Sequence, residues 1–276
     1  MMRLVALTAL VMTAFAANSV LNRLALEPGT TGPASFALIR LASGAALLAL
    51  LVSLQGQAAT LRPRAAHLPG VLTLTLYILG FSFAYQTLPA GLGALILFGG
   101  VQITMFLGTV IAREPLPPLR IIGAAIAFAG LAWLMAPGAA RPDPWGFALM
   151  SAAALGWGLF SLIGRKAGAP LPTMSASFLW ATPLGLLAFL IWPDTTDLRG
   201  AILAVISGAV TSGLGYALWY RVLPQIPSSI AAVVQLTVPI IAMAGGMVFL
   251  SEPLTLRFAL AAALVLGGVA LSLRRA

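Results

Sequence analysis

Apolar residues occur in long runs along the chain, and short segments with charged residues, proline and glycine separate these runs. Each run has about 20 residues, enough for a helix to cross a hydrocarbon core about 30 Å thick. None alternates apolar and polar residues with a period of two, as the strands of a membrane β-barrel do. The pattern predicts an all-α membrane protein with ten transmembrane helices, near 3–22, 33–54, 67–87, 91–112, 119–136, 143–163, 172–193, 199–222, 228–250 and 256–273.

The overall composition agrees with this pattern. Hydrophobic residues make up 61% of the chain and charged residues 8%, and the mean hydropathy is +1.04. A soluble chain would carry about 25% charged residues, so we expect the lipid bilayer to be the solvent. The absence of cysteine excludes disulfide and thiolate chemistry. The net charge of +9 does not indicate nucleic acid as a partner, because no basic run with interleaved aromatic residues occurs.

The first span begins like a secretory signal, with Arg3 ahead of an apolar stretch and with Ala14-Phe15-Ala16 resembling a signal-peptidase site. The apolar run continues past that site. We therefore expect this segment to be retained as the first membrane helix.

Basic residues are distributed unevenly between the loops. If the N-terminus lies inside the cell, ten fall in inner loops and four in outer loops. Because cytoplasmic loops are rich in Lys and Arg, this predicts a multi-pass protein of a bacterial-type inner membrane with both termini cytoplasmic. The inner set is Arg3, Arg62, Arg64, Arg113, Arg120, Arg165, Lys166, Arg221, Arg274 and Arg275, and the outer set is Arg23, Arg141, Arg199 and Arg257.

Several sequence markers occur twice, 135–143 residues apart and in the same order. Tyr85 corresponds to Tyr220, and Glu114 corresponds to Glu252, each within a similar short motif. Five spans in each half would give the second half the opposite orientation, which is the inverted repeat of many secondary transporters. The alternative is that Leu-Pro and Glu-Pro recur only as helix-boundary residues. We predict one five-helix repeat over 1–137 and an inverted five-helix repeat over 138–276.

Three features carry a resemblance to a known family. They are "FALIRLASGAALLALL" around Arg40 in the second span, "ALGWGLFSLIGRKAG" in the sixth, and "EPL" closing the fourth and ninth. These features resemble the drug/metabolite transporter superfamily, in its ten-helix EamA branch. The resemblance implies a metabolite exporter with a central cavity lined by helices 1, 3, 4, 6, 8 and 9. Members often carry Trp in helix 1 at the level of Ala14, whereas here the aromatic residue stands at the symmetric Trp157.

Aromatic and hydroxyl side chains recur on one face of the third and eighth spans. Both stripes suit a substrate with an apolar ring and polar ends. The alternative is helix packing, or an interfacial aromatic belt for the residues nearest the span ends, Tyr85 and Tyr220. The first stripe is Thr73, Tyr77, Phe81 and Tyr85, and the second is Gly208, Ser212, Tyr216 and Tyr220.

Amide side chains inside the predicted spans are further candidates, because lipid satisfies none of their hydrogen-bonding groups. Gln102 lies in the fourth span and Gln235 in the ninth, while Asn18 and Ser161 form a symmetric pair. Bonding between helices is the alternative role for the amides. The predicted substrate-binding set is Asn18, Tyr77, Phe81, Gln102, Trp157, Ser161, Ser212, Tyr216 and Gln235.

Arg40 is the only charged residue well inside a span, about 10 Å from the end of its helix. It could extend toward the interface, form an ion pair or bind a substrate carboxylate. A structural ion pair between Arg40 and Glu252 is the favoured interpretation. Small residues seven positions apart, Gly123 and Gly130 in the fifth span and Ala261 and Gly268 in the tenth, predict a tight seam between those spans.

The remaining chemistry argues against an enzyme. No Asp or Glu lies deep in a span, the single His67 lies at a helix start, and no glycine-rich phosphate loop is present. We expect no cofactor, no metal, a monomer and no ring of polar residues that would form a channel filter. The predicted function is alternating-access export of small neutral or zwitterionic metabolites, with aromatic amino acids as the first candidate substrate. Other metabolites or drugs, or flipping of a lipid-linked sugar, stay open as alternatives.

The acidic residues also bear on how transport would be driven. All six, Glu27, Glu114, Asp143, Asp194, Asp197 and Glu252, fall in loops or at span ends. A proton-coupled carrier usually holds a titratable group in the membrane interior. We therefore expect facilitated transport down the substrate gradient.

Overall fold

The computed structural model describes residues 2–27, 29–111, 118–134, 141–165, 169–222, 225, 234–235 and 237–272. Over these ranges the chain is helical and contains no β-strand, which confirms the predicted all-α class. Glu114, the Leu223-Pro224 motif and the side chain of Tyr220 lie outside the described residues.

The described residues of the first half of the chain form five α-helices. Two short 3₁₀ turns, Ala58–Leu61 and Ala65–His67, precede the third of them. The helices are α1 Met2–Leu26, α2 Pro33–Leu54, α3 Leu68–Ala84, α4 Ala90–Ile111 and α5 Pro118–Leu134.

The second half contains one unusual helix. After α6 Pro144–Arg165 and α7 Pro170–Ile191, helix α8 continues without a break into a π-helical segment and then into α9. The i→i+5 bonding of a π-helix widens the turn, and such segments often occur at functional sites. The remaining bounds are α8 Leu198–Val205, the π segment Ile206–Leu214, α9 Gly215–Val222, α10 Thr237–Leu250 and α11 Leu256–Ser272.

Among the described residues, six helical stretches are long and apolar enough to cross a membrane, which makes the chain a multi-pass membrane protein. Shorter apolar helices occur at Ala90–Thr104, Ile121–Trp133, Thr237–Leu250 and Leu256–Leu271. The six are Met2–Leu26, Pro33–Leu54, Ala65–Ala84, Pro144–Ile163, Leu171–Ile191 and Leu198–Trp219.

Carboxylates bind the first backbone N–H groups of four helices, where no intrahelical acceptor exists. Asp194 accepts from Ala34 N in α2 at 2.8 Å, and Asp197 accepts from the backbone of α8. Asp143 accepts from the backbone of α6, and Glu252 accepts from the backbone of α4. Each negative charge also suits the positive end of its helix dipole, so these residues fix where the four helices begin.

Glycines allow two close helix crossings at the centre of the molecule. A Cβ on Gly156 of α6 would lie 2.7 Å from the backbone nitrogen of Tyr77 in α3. A Cβ on Gly208 of the π segment would lie 2.8 Å from the Cα of Arg40 in α2. Only glycine permits backbones to approach this closely, so both crossings bring the candidate side chains together.

The predicted seam between the fifth and tenth spans is confirmed as the packing of α5 on α11. A Cβ on Gly268 would lie 2.6 Å from both Gly123 O and Ala127 N, and one on Gly130 would lie 2.9 Å from Val265 Cγ2. This seam is a structural contact, separate from the residues that line the central cavity described below.

Candidate functional site

Aromatic rings from four helices meet at the centre of the bundle. The ring centroid of Trp157 in α6 lies 4.9 Å from those of both Tyr77 in α3 and Tyr216 in α9. Phe15 of α1 lies edge-on to Trp157 at 6.4 Å and to Tyr216 at 5.5 Å. Tilted and edge-on contacts of this kind are the favourable geometries for aromatic pairs, so the rings form one packed cluster.

A small cavity lies against this cluster. The space left for the centre of a water molecule is about 10 Å³, which is about the minimum that one water requires. The first, third, fourth, sixth and eighth spans, five of the six implied by the family resemblance, supply its walls. They do so through α1, α3, α4, α6 and α9, where α9 is the C-terminal part of the eighth span. The lining residues are Phe15, Asn18, Tyr77, Phe81, Leu97, Phe98, Trp157 and Tyr216.

Arg40 lies behind the wall of this central cavity and is fully buried. Its Nη2 donates to the Tyr77 hydroxyl at 3.0 Å, and its Nε donates to Ser212 Oγ at 3.2 Å. The guanidinium carbon also lies 4.8 Å from the ring centroid of Phe81. The Tyr77 hydroxyl is in turn 3.3 Å from the hydroxyl of Tyr216, so hydrogen bonds connect α2, α3 and the α8–α9 helix.

Asn18 joins α1 to the π segment. Its Oδ1 accepts from Ser207 Oγ at 2.8 Å, Thr211 Oγ1 at 2.6 Å and Ser212 Oγ at 3.3 Å. All four side chains are buried. One amide oxygen thus satisfies three hydroxyls that lipid could not satisfy, and Ser212 links this group to Arg40.

The structure brings six of the nine predicted binding residues into one region. Asn18, Tyr77, Phe81, Trp157 and Tyr216 line the cavity, and Ser212 contacts Asn18 and Arg40.

The other three predicted residues lie elsewhere. Gln102 and Gln235 are half-buried and are not among the cavity-lining residues. Ser161 donates to the carbonyl of Trp157 one turn earlier, so its own helix satisfies it.

The expected ion pair between Arg40 and Glu252 is not formed. Arg40 binds Tyr77 and Ser212, whereas both oxygens of Glu252 accept from Ala90 N, at 2.7 and 2.9 Å. The free N–H groups and positive dipole at the start of α4 hold the carboxylate there. Burial raises the pKa of the Glu252 carboxyl above its ordinary value, although backbone bonds from Ala90 and Gly91 oppose this.

The alternative of an interfacial belt position is wrong for Tyr85. Tyr85 is fully buried, and its hydroxyl donates to the carbonyl of Ala90 at 3.3 Å. The turn between α3 and α4 folds this ring inward, so proximity to a span end did not place it at the membrane surface.

Sequence reasoning missed several residues of the site. Phe15 supplies the helix-1 aromatic group one residue after the family position, and it lies three residues before Asn18 on the same helical face. Ser207 and Thr211 precede Ser212 in the eighth span and carry an i,i+4 hydroxyl signal. Leu97 and Phe98 carried no comparable signal, because apolar residues fill the whole fourth span.

A second, peripheral cavity of about 280 Å³ lies near the start of α4, at the same end as Glu252. Its walls carry both charge signs, from Arg141, Asp143 and Arg257. Leu92 of α4 lines this cavity and Leu97 lines the central one. Five residues of helix separate them by about 7.5 Å along the axis.

Among the residues that the structure describes, no group of three His, Asp or Glu side chains is arranged to hold a metal ion.

The chain is similar to several known proteins. A model of the EamA-like transporter family matches residues 144–274. An uncharacterized protein of Pseudomonas aeruginosa is 42% identical over 273 residues, covering 98% of this chain and 94% of the relative.

More distant relatives carry functional names. An uncharacterized transporter of Archaeoglobus fulgidus is 25% identical over 75% of this chain and 76% of its own. A probable amino-acid metabolite efflux pump of Salmonella typhimurium is 26% identical over 66% of this chain and 67% of its own. A protein of known crystal structure superposes with a TM-score of 0.71 over 97% of both chains, and its 19% identity means that this likeness establishes the fold alone.

Proposed function

Since the chain belongs to the EamA-like transporter family, we propose that it exports small neutral or zwitterionic metabolites, foremost aromatic amino acids, by alternating access. The relative named as a probable amino-acid metabolite efflux pump supports this substrate class. The sequence also resembles the aromatic amino-acid exporters of this family.

The observation that carries the proposal is the aromatic wall of the central cavity with polar groups among its rings. Trp157, Tyr77 and Tyr216 offer ring faces, while the two tyrosine hydroxyls and Asn18 offer hydrogen bonds. Ligand sites usually combine an apolar lining with a few placed polar groups. An aromatic amino acid has the matching form, because its ring is apolar and its other end carries charged groups.

The small size of the central cavity supports an occluding mechanism. With room for about one water, the cavity admits an amino acid only when the rings around Trp157 separate. We infer that the substrate stacks between these rings and then leaves through the peripheral cavity. Opening would require the start of α4 to part from α10, where a Cβ on Gly91 would lie 2.7 Å from Met243 Cα.

We propose ten membrane spans in two inverted halves, 1–137 and 138–276, in an inner membrane with both termini cytoplasmic. The bond between Tyr77 and Tyr216 and the bonds from the π segment to Asn18 would then join the two halves across the cavity. One copy of the chain contains the whole cavity, so we propose that the working unit is a monomer.

We propose facilitated transport as the energy mode. Four carboxylates, Asp143, Asp194, Asp197 and Glu252, bind helix starts. None of the described carboxylates lines the central cavity, and Glu114 lies outside the described residues.

The test is counterflow in proteoliposomes made with the purified protein. The panel contains aromatic and aliphatic amino acids, nucleosides and cationic drugs, with a parallel flipping assay for a lipid-linked sugar. We expect exchange of labelled tryptophan and phenylalanine above protein-free liposomes. Exchange of a different class with no aromatic amino-acid exchange would overturn the substrate claim, and flipping alone would favour the flippase.

A further inference from the structure

The guanidinium of Arg40 has an unused hydrogen-bond donor. Nε and Nη2 are bonded to Ser212 and Tyr77, but Nη1 is buried and has no hydrogen-bond partner. The side chain is 0% exposed, so solvent does not satisfy that donor. A buried donor without an acceptor is costly, and more so when it is charged.

The charge of Arg40 is also without a counter-ion among the described residues. It bonds to the hydroxyls of Tyr77 and Ser212, lies against the faces of two aromatic rings and is close to the Tyr216 hydroxyl. Hydroxyls and ring faces stabilise a cation only in part, and a buried charge normally needs an opposite charge. The site therefore has the electrostatic character of an anion-binding position.

This position adjoins the central cavity. Tyr77 and Phe81 touch the guanidinium on one side and line the cavity on the other. The Tyr77 hydroxyl accepts the hydrogen bond from Nη2, and the same hydroxyl is also hydrogen-bonded to the Tyr216 hydroxyl. If the hydroxyl moves aside, Nη1 and Nη2 together offer the paired donors that a carboxylate accepts in bidentate fashion.

We propose that Arg40 binds the carboxylate of the transported molecule, so that aromatic carboxylates are substrates and the matching amines and amides are not. This inference rests on the proposed transport function and adds the charged group by which the substrate is recognised. Binding of the substrate carboxylate neutralises the charge of Arg40. The Tyr77 hydroxyl then leaves Arg40, and the Tyr77 side chain lies beside the substrate ring.

The test compares ligands that differ in the carboxylate. Binding of tryptophan, indole-3-propionate, tryptophanamide and tryptamine to the purified wild-type protein is measured by calorimetry, together with leucine and leucinamide. We expect each carboxylate to bind at least about tenfold more tightly than its amide or amine. Arg40→Met should reduce that preference to less than about threefold, Arg40→Lys should restore part of it, and Arg62→Met at an exposed site should leave it unchanged.

The wild-type comparison keeps the test decisive even if Arg40→Met fails to fold. Equal binding of tryptophan, tryptophanamide and tryptamine by the wild type would overturn the role of Arg40. A carboxylate preference seen only with leucine would support Arg40 while defeating the aromatic substrate. Absence of binding to all six ligands would overturn both claims.

Discussion

Gly208→Ala tests the crossing that holds Arg40 in place. The new Cβ would lie 2.8 Å from Arg40 Cα and would also meet Arg40 O and Ser43 Oγ more closely. Ordinary contact begins at 3.4 Å, so α2 and the π segment must separate by at least about 0.6 Å. Backbone atoms on the α2 side cannot rotate away as a flexible side chain could.

The separation has a calculable effect on the site. The hydrogen bond from Arg40 Nε to Ser212 Oγ is 3.2 Å long. A separation of about 0.6 Å along this bond would lengthen it beyond hydrogen-bonding distance. Overpacking of a closed contact costs about 1–3 kcal/mol, and a backbone clash places this case toward the upper end. A destabilisation of about 2.5 kcal/mol lowers the Tm by about 5 °C or more for a chain of this size.

The assay is thermal unfolding of the purified variant in detergent, followed by tryptophan fluorescence. Gly215→Ala is the matched control, because its Cβ would meet Ala14 Cβ at an ordinary 3.4 Å. Both changes replace Gly by Ala in the same continuous helical stretch, so the difference between their Tm values reports mainly the clash. Equal Tm values for the two variants would refute the close packing of α2 on the π segment.

Two further predictions concern the seam and the α4 start. Gly268→Ala should lower the Tm, because its Cβ would lie 2.6 Å from Ala127 N. Gly267→Ala is the control, because a Cβ on Gly267 meets nothing within 4 Å. Equal Tm shifts for the two variants would contradict the seam. Burial raises the pKa of the Glu252 carboxyl above its ordinary value. Its protonated form therefore stabilises the fold at lower pH, and that stabilisation is lost as pH rises through the raised pKa. Glu252→Gln should remove this component from a Tm–pH profile, and an unchanged profile would contradict it.

Much of the fold was readable from the sequence because membrane helices are long and apolar. The second span was predicted at 33–54, and the helix is Pro33–Leu54. The small residues of the fifth and tenth spans gave the α5–α11 seam, since close helix contact requires them. Composition and helical period are enough for conclusions of this kind.

The partners of individual side chains were harder to predict. Helical period places Tyr77 and Phe81 on one face, but it does not say which helix lies opposite. Arg40 was therefore assigned to Glu252, although the structure gives it Tyr77 and Ser212. The π segment adds a further difficulty, because its wider turn changes the angular spacing on which an α-helical projection relies.

Gln102 illustrates why polarity alone did not define the cavity. An amide in an apolar span is a strong signal, yet the residues of α4 that line the cavity are Leu97 and Phe98. Which face of a uniformly apolar helix points inward depends on the neighbouring helices. That information is absent from the fourth span itself.

The most direct test of the central claim is tryptophan counterflow by Trp157→Ala, with Trp145→Ala as the matched control in the same helix. Trp157 is 8% exposed and lines the cavity, whereas Trp145 is 70% exposed. Loss of one stacked ring from the site should reduce counterflow by about tenfold, in line with about 1.4 kcal/mol of binding free energy. We expect this loss per folded molecule of Trp157→Ala, because removal of a buried Trp also destabilises the fold, and we expect Trp145→Ala to stay close to wild type. Wild-type counterflow in both variants would contradict a substrate site at the aromatic cluster.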